Sequence, residues 1–209
     1  MKQSKTRQMV FAGVLTGLII VMSSVPVLGY IPLGVINATI IQVPVIIGAI
    51  LLGPKYGAFL GLVFGLSSMI KNTFAPNATS FVFSPFYQVG EYGGNFYSVL
   101  ISLVPRILIG PVSWAVYRGL RKLIPGHLKE TASLAAAGAA GALTNTLLVM
   151  NMIYLFFGES YLAAGGGAYK TVYGAILAII AGVGIPEAIV SAVLTALICR
   201  VMLRFIRHV

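Results

Sequence analysis

Six long apolar runs constrain this chain more than any other feature of its sequence. They cover residues of about 8 to 28, 35 to 53, 56 to 74, 97 to 120, 131 to 157 and 173 to 205. A helix that crosses the hydrocarbon core of a bilayer needs about 20 mostly apolar residues. The runs therefore predict an all-α integral membrane protein, in which residues 1–209 form a single transmembrane domain, a bundle of six helices.

Composition agrees with a membrane protein. Hydrophobic residues make up 58% of the chain and charged residues 9%, and the mean hydropathy is +0.97, whereas soluble domains average about 25% charged residues. A net charge of +10 would suggest nucleic acid in a soluble chain. Here the cations flank the apolar runs, where orientation in the membrane and contacts with anionic lipid explain them. We therefore expect membrane lipid, and not nucleic acid, as a partner.

The cations also predict the orientation of the bundle, because Lys and Arg collect in short cytoplasmic loops. With the N-terminus inside, eleven of the fourteen cations lie on the cytoplasmic side, and Lys71, Arg106 and Lys170 remain. An even number of spans then places both termini in the cytoplasm. The eleven are Lys2, Lys5, Arg7, Lys55, Arg118, Arg121, Lys122, Lys129, Arg200, Arg204 and Arg207.

This topology predicts two loops on the outer side. The first, Ala75 to Asn95, carries aromatic residues that include Phe83 and Tyr87, and the second, Gly158 to Thr171, contains three consecutive glycines at 165–167. Aromatic residues beside a glycine-rich loop suggest lids over a pocket that opens outward. The alternative is a belt of aromatic residues at the membrane interface.

Two ionisable residues lie within the predicted spans, where a charge near the bilayer centre costs about 2.5–3.5 kcal/mol and marks a function or a partner. Arg106 follows Pro105 in the fourth span, and Glu187 follows Pro186 in the sixth. A guanidinium group binds a carboxylate through two parallel hydrogen bonds, so Arg106 is a candidate to hold an anionic ligand. The alternative is an ion pair between Arg106 and Glu187 that joins the two spans.

Amide side chains accompany these charges in the outer halves of the spans. Amides inside a membrane either join helices or bind a polar solute. A polar pocket open to the outside is the simpler interpretation. The candidate substrate-binding residues are Arg106, Asn145, Asn151, Glu187, Tyr87, Asn95, Asn37 and Gln42.

The sequence lacks the residues that metal sites, nucleophilic catalysis and ATP binding usually require. The chain has no Asp, and His127 and His208 both fall on the predicted cytoplasmic side, which disfavours carboxylate and histidine metal sites and a histidine base for a nucleophile. No G-x-x-x-x-G-K-[ST] motif occurs, so ATP binding by a P-loop is excluded. The lone Cys199 is interpreted as a packing residue. We therefore expect neither an enzyme nor a bound cofactor or metal.

The second and third runs are joined by a recurring pattern of small residues and prolines. Residues 42–57 read QVPVIIGAILLGPKYG, and Gly61 and Gly65 follow. Gly57, Gly61 and Gly65 form a stripe of small residues four apart, which predicts close helix packing within the bundle. With this P-x-x-x-G-A-x-x-x-G-P-x-x-G pattern, its size, six spans and basic tails, the chain resembles the S-components of energy-coupling factor (ECF) transporters. These are substrate-binding subunits of about 200 residues in bacterial membranes, and the chain looks most like the pantothenate-specific subtype.

The resemblance implies a mechanism and partners. An S-component binds a vitamin outside the cell, docks on a transmembrane T subunit driven by two cytoplasmic ATPases, and topples to release the vitamin inside. The family docks through an A-x-x-x-A stripe on the first span. The matching positions here are Ala12 and Thr16, with Gly13 and Gly17 beside them, and small residues permit the close helix contact that docking needs.

Other functions stay open on the residues alone. An S-component for folate, riboflavin or cobalamin shares the same general pattern. A self-sufficient secondary carrier or channel is a second alternative, although such carriers usually show a coupling-ion site and internal repeats. A scaffold protein is the third, but it would not need Arg106 and two asparagines inside the spans.

Overall fold

The computed structural model is predominantly helical and describes residues 4–25, 29–33, 36–123, 129–164 and 171–208. The strands form two short antiparallel hairpins, β1 (Tyr30–Leu33) with β2 (Ile36–Thr39) and β3 (Gln88–Val89) with β4 (Tyr92–Gly93). The helices are α1 (Lys5–Ser24), α2 (Gln42–Leu52), α3 (Pro54–Phe74), α4 (Phe96–Leu123), α5 (Lys129–Ala164), α6 (Val172–Ile179) and α7 (Ile185–His208).

Among the described residues, four segments are long and apolar enough to cross a membrane: α1, α4, α5, and residues Val172–Arg204, which contain α6 and most of α7. They correspond to the first, fourth, fifth and sixth predicted spans. Helix α3 corresponds to the third and is 21 residues long. The predicted count of six spanning helices and the cytoplasmic position of the termini remain predictions.

The second predicted span, 35 to 53, is wrong in its first part. Residues Ile36–Thr39 form strand β2, which pairs with β1 so that Tyr30 lies opposite Thr39 and Leu33 opposite Ile36. A run of apolar β-branched residues has the same hydropathy in a strand as in a helix, so composition did not separate the two. The helical remainder, α2, has 11 residues and is about 16 Å long, so the helix alone covers about half of a bilayer core of about 30 Å.

Helix α2 is the centre of the bundle. It contacts α1, α3, α4, α5 and α7, and every residue from Gln42 to Ile50 is buried. Its side chains form the core together with Ile19 of α1, Leu60 of α3 and Ile109 of α4. Because it is surrounded by longer helices, α2 can begin and end inside the bundle with its apolar side chains covered on all sides.

The predicted glycine stripe Gly57, Gly61 and Gly65 packs α3 closely against α4. A Cβ atom added at Gly57 would lie 2.9 Å from the Cα of Gly110, and one added at Gly65 would lie 2.6 Å from the carbonyl oxygen of Ser102. Such distances are below those that real Cβ atoms show. The glycines therefore allow two antiparallel backbones to touch beside Arg106.

The second predicted outer loop is also corrected. Helix α5 continues to Ala164, so residues 158–164 are helical, and the three glycines at 165–167 lie outside the described residues. The sixth predicted span is not a single α-helix, because a π-helical turn, Ile180–Gly184, separates α6 from α7. Such turns are frequent at functional sites, and Glu187 lies in the first turn of α7.

The first predicted outer loop packs on the bundle as a small cluster of its own. It contains a 3₁₀ helix, Ser80–Val82, and the β3–β4 hairpin. Phe81 and Val82 are fully buried against Ile101 of α4 and Ile153 of α5. The ring of Phe81 also meets that of Phe157, edge to face, with 5.8 Å between centroids. This part of the loop therefore forms, with α4 and α5, a second hydrophobic core that is separate from the main one.

Candidate substrate site

A buried polar cluster lies where the N-terminus of α2 meets α4, α5 and α7. We define the polar cluster as Gln42, Arg106, Asn145, Thr146, Glu187 and Ser191. Each of these six side chains belongs to a residue at most 9% exposed. Polar groups buried in the membrane-spanning part of a protein need partners or a solute, so the cluster is the candidate binding site.

Glu187 connects the cluster to the β1–β2 hairpin. Its Oε1 accepts a hydrogen bond from the backbone N–H of Thr39 at 2.6 Å, and its Oε2 accepts one from the hydroxyl of Thr146 at 3.5 Å. Gly184, in the π-helical turn, packs on Thr146, since an added Cβ there would lie 2.8 Å from the Thr146 methyl carbon. The carboxylate thus joins α7, α5 and the end of strand β2.

Arg106 is held from α4 between two aromatic rings. Its Nη1 donates a hydrogen bond to the carbonyl oxygen of Ile101. Its guanidinium carbon lies 5.1 Å from the centroid of the Phe83 ring and 5.9 Å from that of Phe64. Cation–π contacts of this kind position a guanidinium group, and a guanidinium matches the planar geometry of a carboxylate.

The first outer loop reaches this arginine. Phe83 belongs to that loop, and its backbone oxygen accepts a hydrogen bond from the Ser102 hydroxyl on α4 at 2.6 Å. The loop therefore covers Arg106 directly, which favours the prediction of a lid at this position. Other aromatic residues of the loop behave differently, since Phe86 is exposed.

Two amides of the cluster have oxygen atoms with unused hydrogen-bonding capacity. The Nε2 of Gln42 donates to the hydroxyl of Ser191 at 3.0 Å. Within the part of the chain that is described, the Oε1 of Gln42 and the Oδ1 of Asn145 have no hydrogen-bond partner. A buried acceptor left without a donor costs about 1–3 kcal/mol, so these two oxygens fit a site where a ligand or water supplies the donors.

Three predicted site residues, Asn151, Asn95 and Tyr87, do not belong to the polar cluster, and a fourth, Asn37, has a side chain outside the described residues. Asn151 is exposed on α5 and donates from Nδ2 to the carbonyl oxygen of Leu147 at 2.7 Å. Asn95 precedes α4, and its Oδ1 accepts from the N–H of Tyr97 at 2.9 Å, which is a helix-capping bond. Tyr87 packs against the second core. Asn37 pairs with Pro32 in the hairpin, and its side chain lies outside the described residues.

Five contributors to the site were not among the predicted residues: Thr39, Phe64, Phe83, Thr146 and Ser191. The N–H of Thr39 is a backbone group, so no residue type signals its use. Phe64 and Phe83 hold Arg106 from elements far apart in sequence. Ser191 could have been identified from the sequence, because it lies four residues after Glu187 and therefore on the same helix face.

The chemistry available in the cluster is hydrogen bonding and charge contact with a polar molecule. It combines one guanidinium, one carboxylate, two amides and two hydroxyls in a low-dielectric setting, where hydrogen bonds and charge contacts are strong. Within the described residues, no group of three His, Cys, Asp or Glu side chains lies close enough together to hold a metal ion.

The predicted docking residues on α1 fall on different sides of the helix. Ala12 is buried in the bundle, and the Thr16 hydroxyl donates back to the Ala12 carbonyl oxygen at 2.8 Å. Gly13 and Gly17 are exposed, and no heavy atom of the described residues lies within 4 Å of a Cβ atom added at either position. The outward small-residue stripe is therefore Gly13–Gly17.

Comparison with known proteins agrees with this arrangement. The family model "ECF transporter, substrate-specific component" matches residues 7–199. A pantothenic acid transporter, PanT, of Lactococcus lactis is 38% identical over 164 residues, which is 75% of this chain and 80% of that protein. A pantothenate transporter, PanT, of Leuconostoc mesenteroides is 30% identical over 207 residues, 97% of this chain and 95% of that protein.

A family match over nearly the whole chain, together with the long apolar helices, makes this a multi-pass protein of a bacterial membrane. Its family consists of transport proteins, and the predicted resemblance is confirmed. The chain belongs to the family of substrate-specific components, or S-components, of ECF transporters.

Proposed function

We propose that this chain captures pantothenate on the outer side of the membrane as the S-component of an ECF importer. Docking on a T subunit driven by two cytoplasmic ATPases then leads to its release inside. The observation that carries the proposal is the placement of Arg106, which is buried and contacts two aromatic rings, in a bundle where the buried oxygens of Gln42 and Asn145 have no hydrogen-bond partner among the described residues. The names of two relatives, both pantothenate transporters, support the choice of vitamin.

The proposed ligand has groups that match those of the polar cluster. Pantothenate carries one carboxylate, one amide and two hydroxyls. Arg106 would bind the carboxylate, because a guanidinium offers two parallel donors. The oxygens of Gln42 and Asn145 would accept from the amide N–H and the hydroxyls, and Glu187 would accept from a hydroxyl. The two amide oxygens would thereby gain the donor that they lack within the described residues.

Glu187 is a second contributor to the proposed site. It lies near enough to Arg106 for the two groups to interact electrostatically. Glu187 also holds the hairpin N–H of Thr39. We infer that Glu187 keeps the arginine and the hairpin in place for binding of the vitamin.

Docking is assigned to the outward stripe of α1. Gly13 and Gly17 present a flat strip of backbone on an exposed face, and close approach of helices in lipid requires such residues. Ala12 faces the interior of this chain, so it acts through packing of α1 and not through direct contact. The T subunit would therefore meet the glycine pair.

Isothermal titration calorimetry on the purified full-length chain tests the binding step. Pantothenate should bind with a submicromolar Kd in the absence of ATP and partners, a free energy of about −8 kcal/mol or better. The same titration with folate, riboflavin and cobalamin distinguishes the other S-component functions. Binding of a different vitamin would identify that vitamin as the substrate in place of pantothenate. No binding heat with any of the vitamins would overturn the proposal.

A matched pair of arginine variants tests the site. Arg106→Gln should abolish measurable pantothenate binding, since it removes the charge and the second parallel donor. Arg118→Gln removes the same group from the other end of α4, where Arg118 is exposed and stacks on Trp114 with its guanidinium carbon 5.0 Å from the ring centroid. Its affinity should be unchanged. Equal affinity in the two variants would contradict the assignment of Arg106.

A further inference from the structure

A cavity lies outside the polar cluster, between helices α1 and α3. Its volume is about 450 Å³, within the usual range for small-molecule sites, about 300–1,000 Å³. None of its lining residues belongs to the polar cluster, which lies among α2, α4, α5 and α7. The lining residues used below are Ile20, Ser23, Leu66, Ser67, Ile70 and Lys71.

The sides of this cavity are apolar and open toward the lipid. Ile20 of α1 and Leu66 and Ile70 of α3 line it and are all exposed on the outside of the bundle. In a membrane protein such exposed side chains meet hydrocarbon, so an occupant that enters between them does so from the lipid phase. A freely soluble anion would lose its hydration on that path.

One end of the cavity is polar. Ser23 is 4% exposed, and no atom of the described residues forms a hydrogen bond with its hydroxyl. Ser67 and Lys71 lie one turn apart on α3, facing the same side. Ser23 is the penultimate residue of α1, and Lys71 lies three residues before the end of α3, so the polar groups are near the ends of both helices.

This division of polar and apolar lining matches the shape of a lipid molecule. A phosphate needs a cation near the membrane surface, the glycerol ester oxygens lie just below it, and the acyl chains extend deeper. In the cavity, Lys71 and Ser23 line the part nearest the helix ends, and the Ser23 hydroxyl has no partner among the described residues. Ile20 and Leu66 precede them by about one turn along their helices. The order of groups along the cavity is the order of groups along a phospholipid.

We propose that the cavity between α1 and α3 is a binding site for one anionic phospholipid. The ammonium group of Lys71 contacts the phosphate, and the Ser23 hydroxyl donates to a glycerol ester oxygen. One acyl chain lies over Ile20, Leu66 and Ile70. The site is independent of vitamin binding, and it places a lipid against α1, the helix that also presents Gly13 and Gly17.

Native mass spectrometry of the full-length chain, delipidated in a mild detergent and titrated with phosphatidylglycerol, tests the proposal. Lys71→Gln should weaken retention of the first lipid about tenfold, as expected for loss of one charge-assisted hydrogen bond. Lys55→Gln removes a cation from the opposite end of the same helix and should leave retention unchanged. Equal loss in both variants would reveal only general attraction between cations and lipid and would overturn the site.

A second variant and two competitors complete the test. Ser23→Leu places an apolar side chain at the polar end of the cavity and should also lower lipid retention. The affinity for pantothenate, measured by calorimetry, should equal that of the parent. Inorganic phosphate or pantothenate in excess should not displace the lipid. Displacement by either would mean that the cavity takes a soluble anion, and unchanged retention in both Lys71→Gln and Ser23→Leu would exclude a lipid there. Lipid retention is read without the vitamin, so these outcomes do not depend on the proposed substrate.

Discussion

Replacing Gly61 by alanine tests the helix contact that positions Arg106. A Cβ atom at residue 61 would collide with the Arg106 carbonyl oxygen, and it would lie 2.8 Å from the Arg106 carbonyl carbon and 2.9 Å from the Cα of Ile107. Ordinary contacts begin at 3.4 Å. Since all three neighbours are backbone atoms, α3 and α4 have to separate locally by at least about half an ångström, which is a case of overpacking.

The expected cost follows from two opposing effects. Overpacking a well-packed contact costs about 1–3 kcal/mol, whereas Gly to Ala within a helix gains about 1 kcal/mol in intrinsic propensity. Gly119→Ala isolates the second effect, because no described heavy atom lies within 4 Å of a Cβ atom added there. The free energy of unfolding of Gly61→Ala should therefore be about 1–3 kcal/mol lower than that of Gly119→Ala.

Two assays read this difference. Equilibrium unfolding in mixed micelles gives the free energies of the two variants, and calorimetry gives their affinity for pantothenate. Gly61→Ala should bind about tenfold more weakly because Arg106 moves with its backbone and weakens one charge-assisted bond. Gly119→Ala should bind like the parent. If the two variants unfold within about 0.5 kcal/mol of each other, the close contact between α3 and α4 is refuted.

The remaining predictions concern the cluster and α1. Glu187→Ala removes the acceptor of the Thr39 N–H, so hydrogen exchange at that amide should become about tenfold faster or more; unchanged exchange would contradict the bond. Arg106→Lys keeps the charge but loses the planar pair of donors, and calorimetry should show weaker pantothenate binding than in the parent but stronger than in Arg106→Gln. Gly13→Leu should prevent co-purification with the T subunit and leave vitamin affinity unchanged, and an intact complex would move the docking face elsewhere.

Much of the helical framework was predictable because it depends on local composition. The predicted spans of about 8 to 28, 56 to 74 and 97 to 120 differ by a few residues from α1, α3 and α4. Lipid requires that each crossing segment satisfy its own backbone hydrogen bonds, so apolar length alone locates such helices. The glycine stripe on α3 was likewise recognised from spacing, and its packing role is confirmed.

The candidate site was predictable in residue type but not in arrangement. Arg106 and Glu187 stood out because charges are rare inside spans, and the structure buries both in one cluster. Asn145 and Asn151 looked equivalent in composition, yet Asn145 is buried and Asn151 is exposed. Which amide faces inward depends on how α5 packs against α4 and α7, and spacing along one helix does not reveal that.

The sequence by itself determined that this chain is a membrane protein and where most of its long helices lie, and it singled out Arg106 and Glu187 as rare charged residues inside the spans. These properties follow from the cost of placing polar groups in hydrocarbon, a cost that each segment bears separately. Only the tertiary structure decided that α2 is a short central helix, that β2 replaces the start of a span, and that Glu187 holds a backbone N–H of that strand. Those features arise because neighbouring helices cover α2 and supply hydrogen-bond partners from residues far apart in the sequence. Local hydropathy does not predict such contacts.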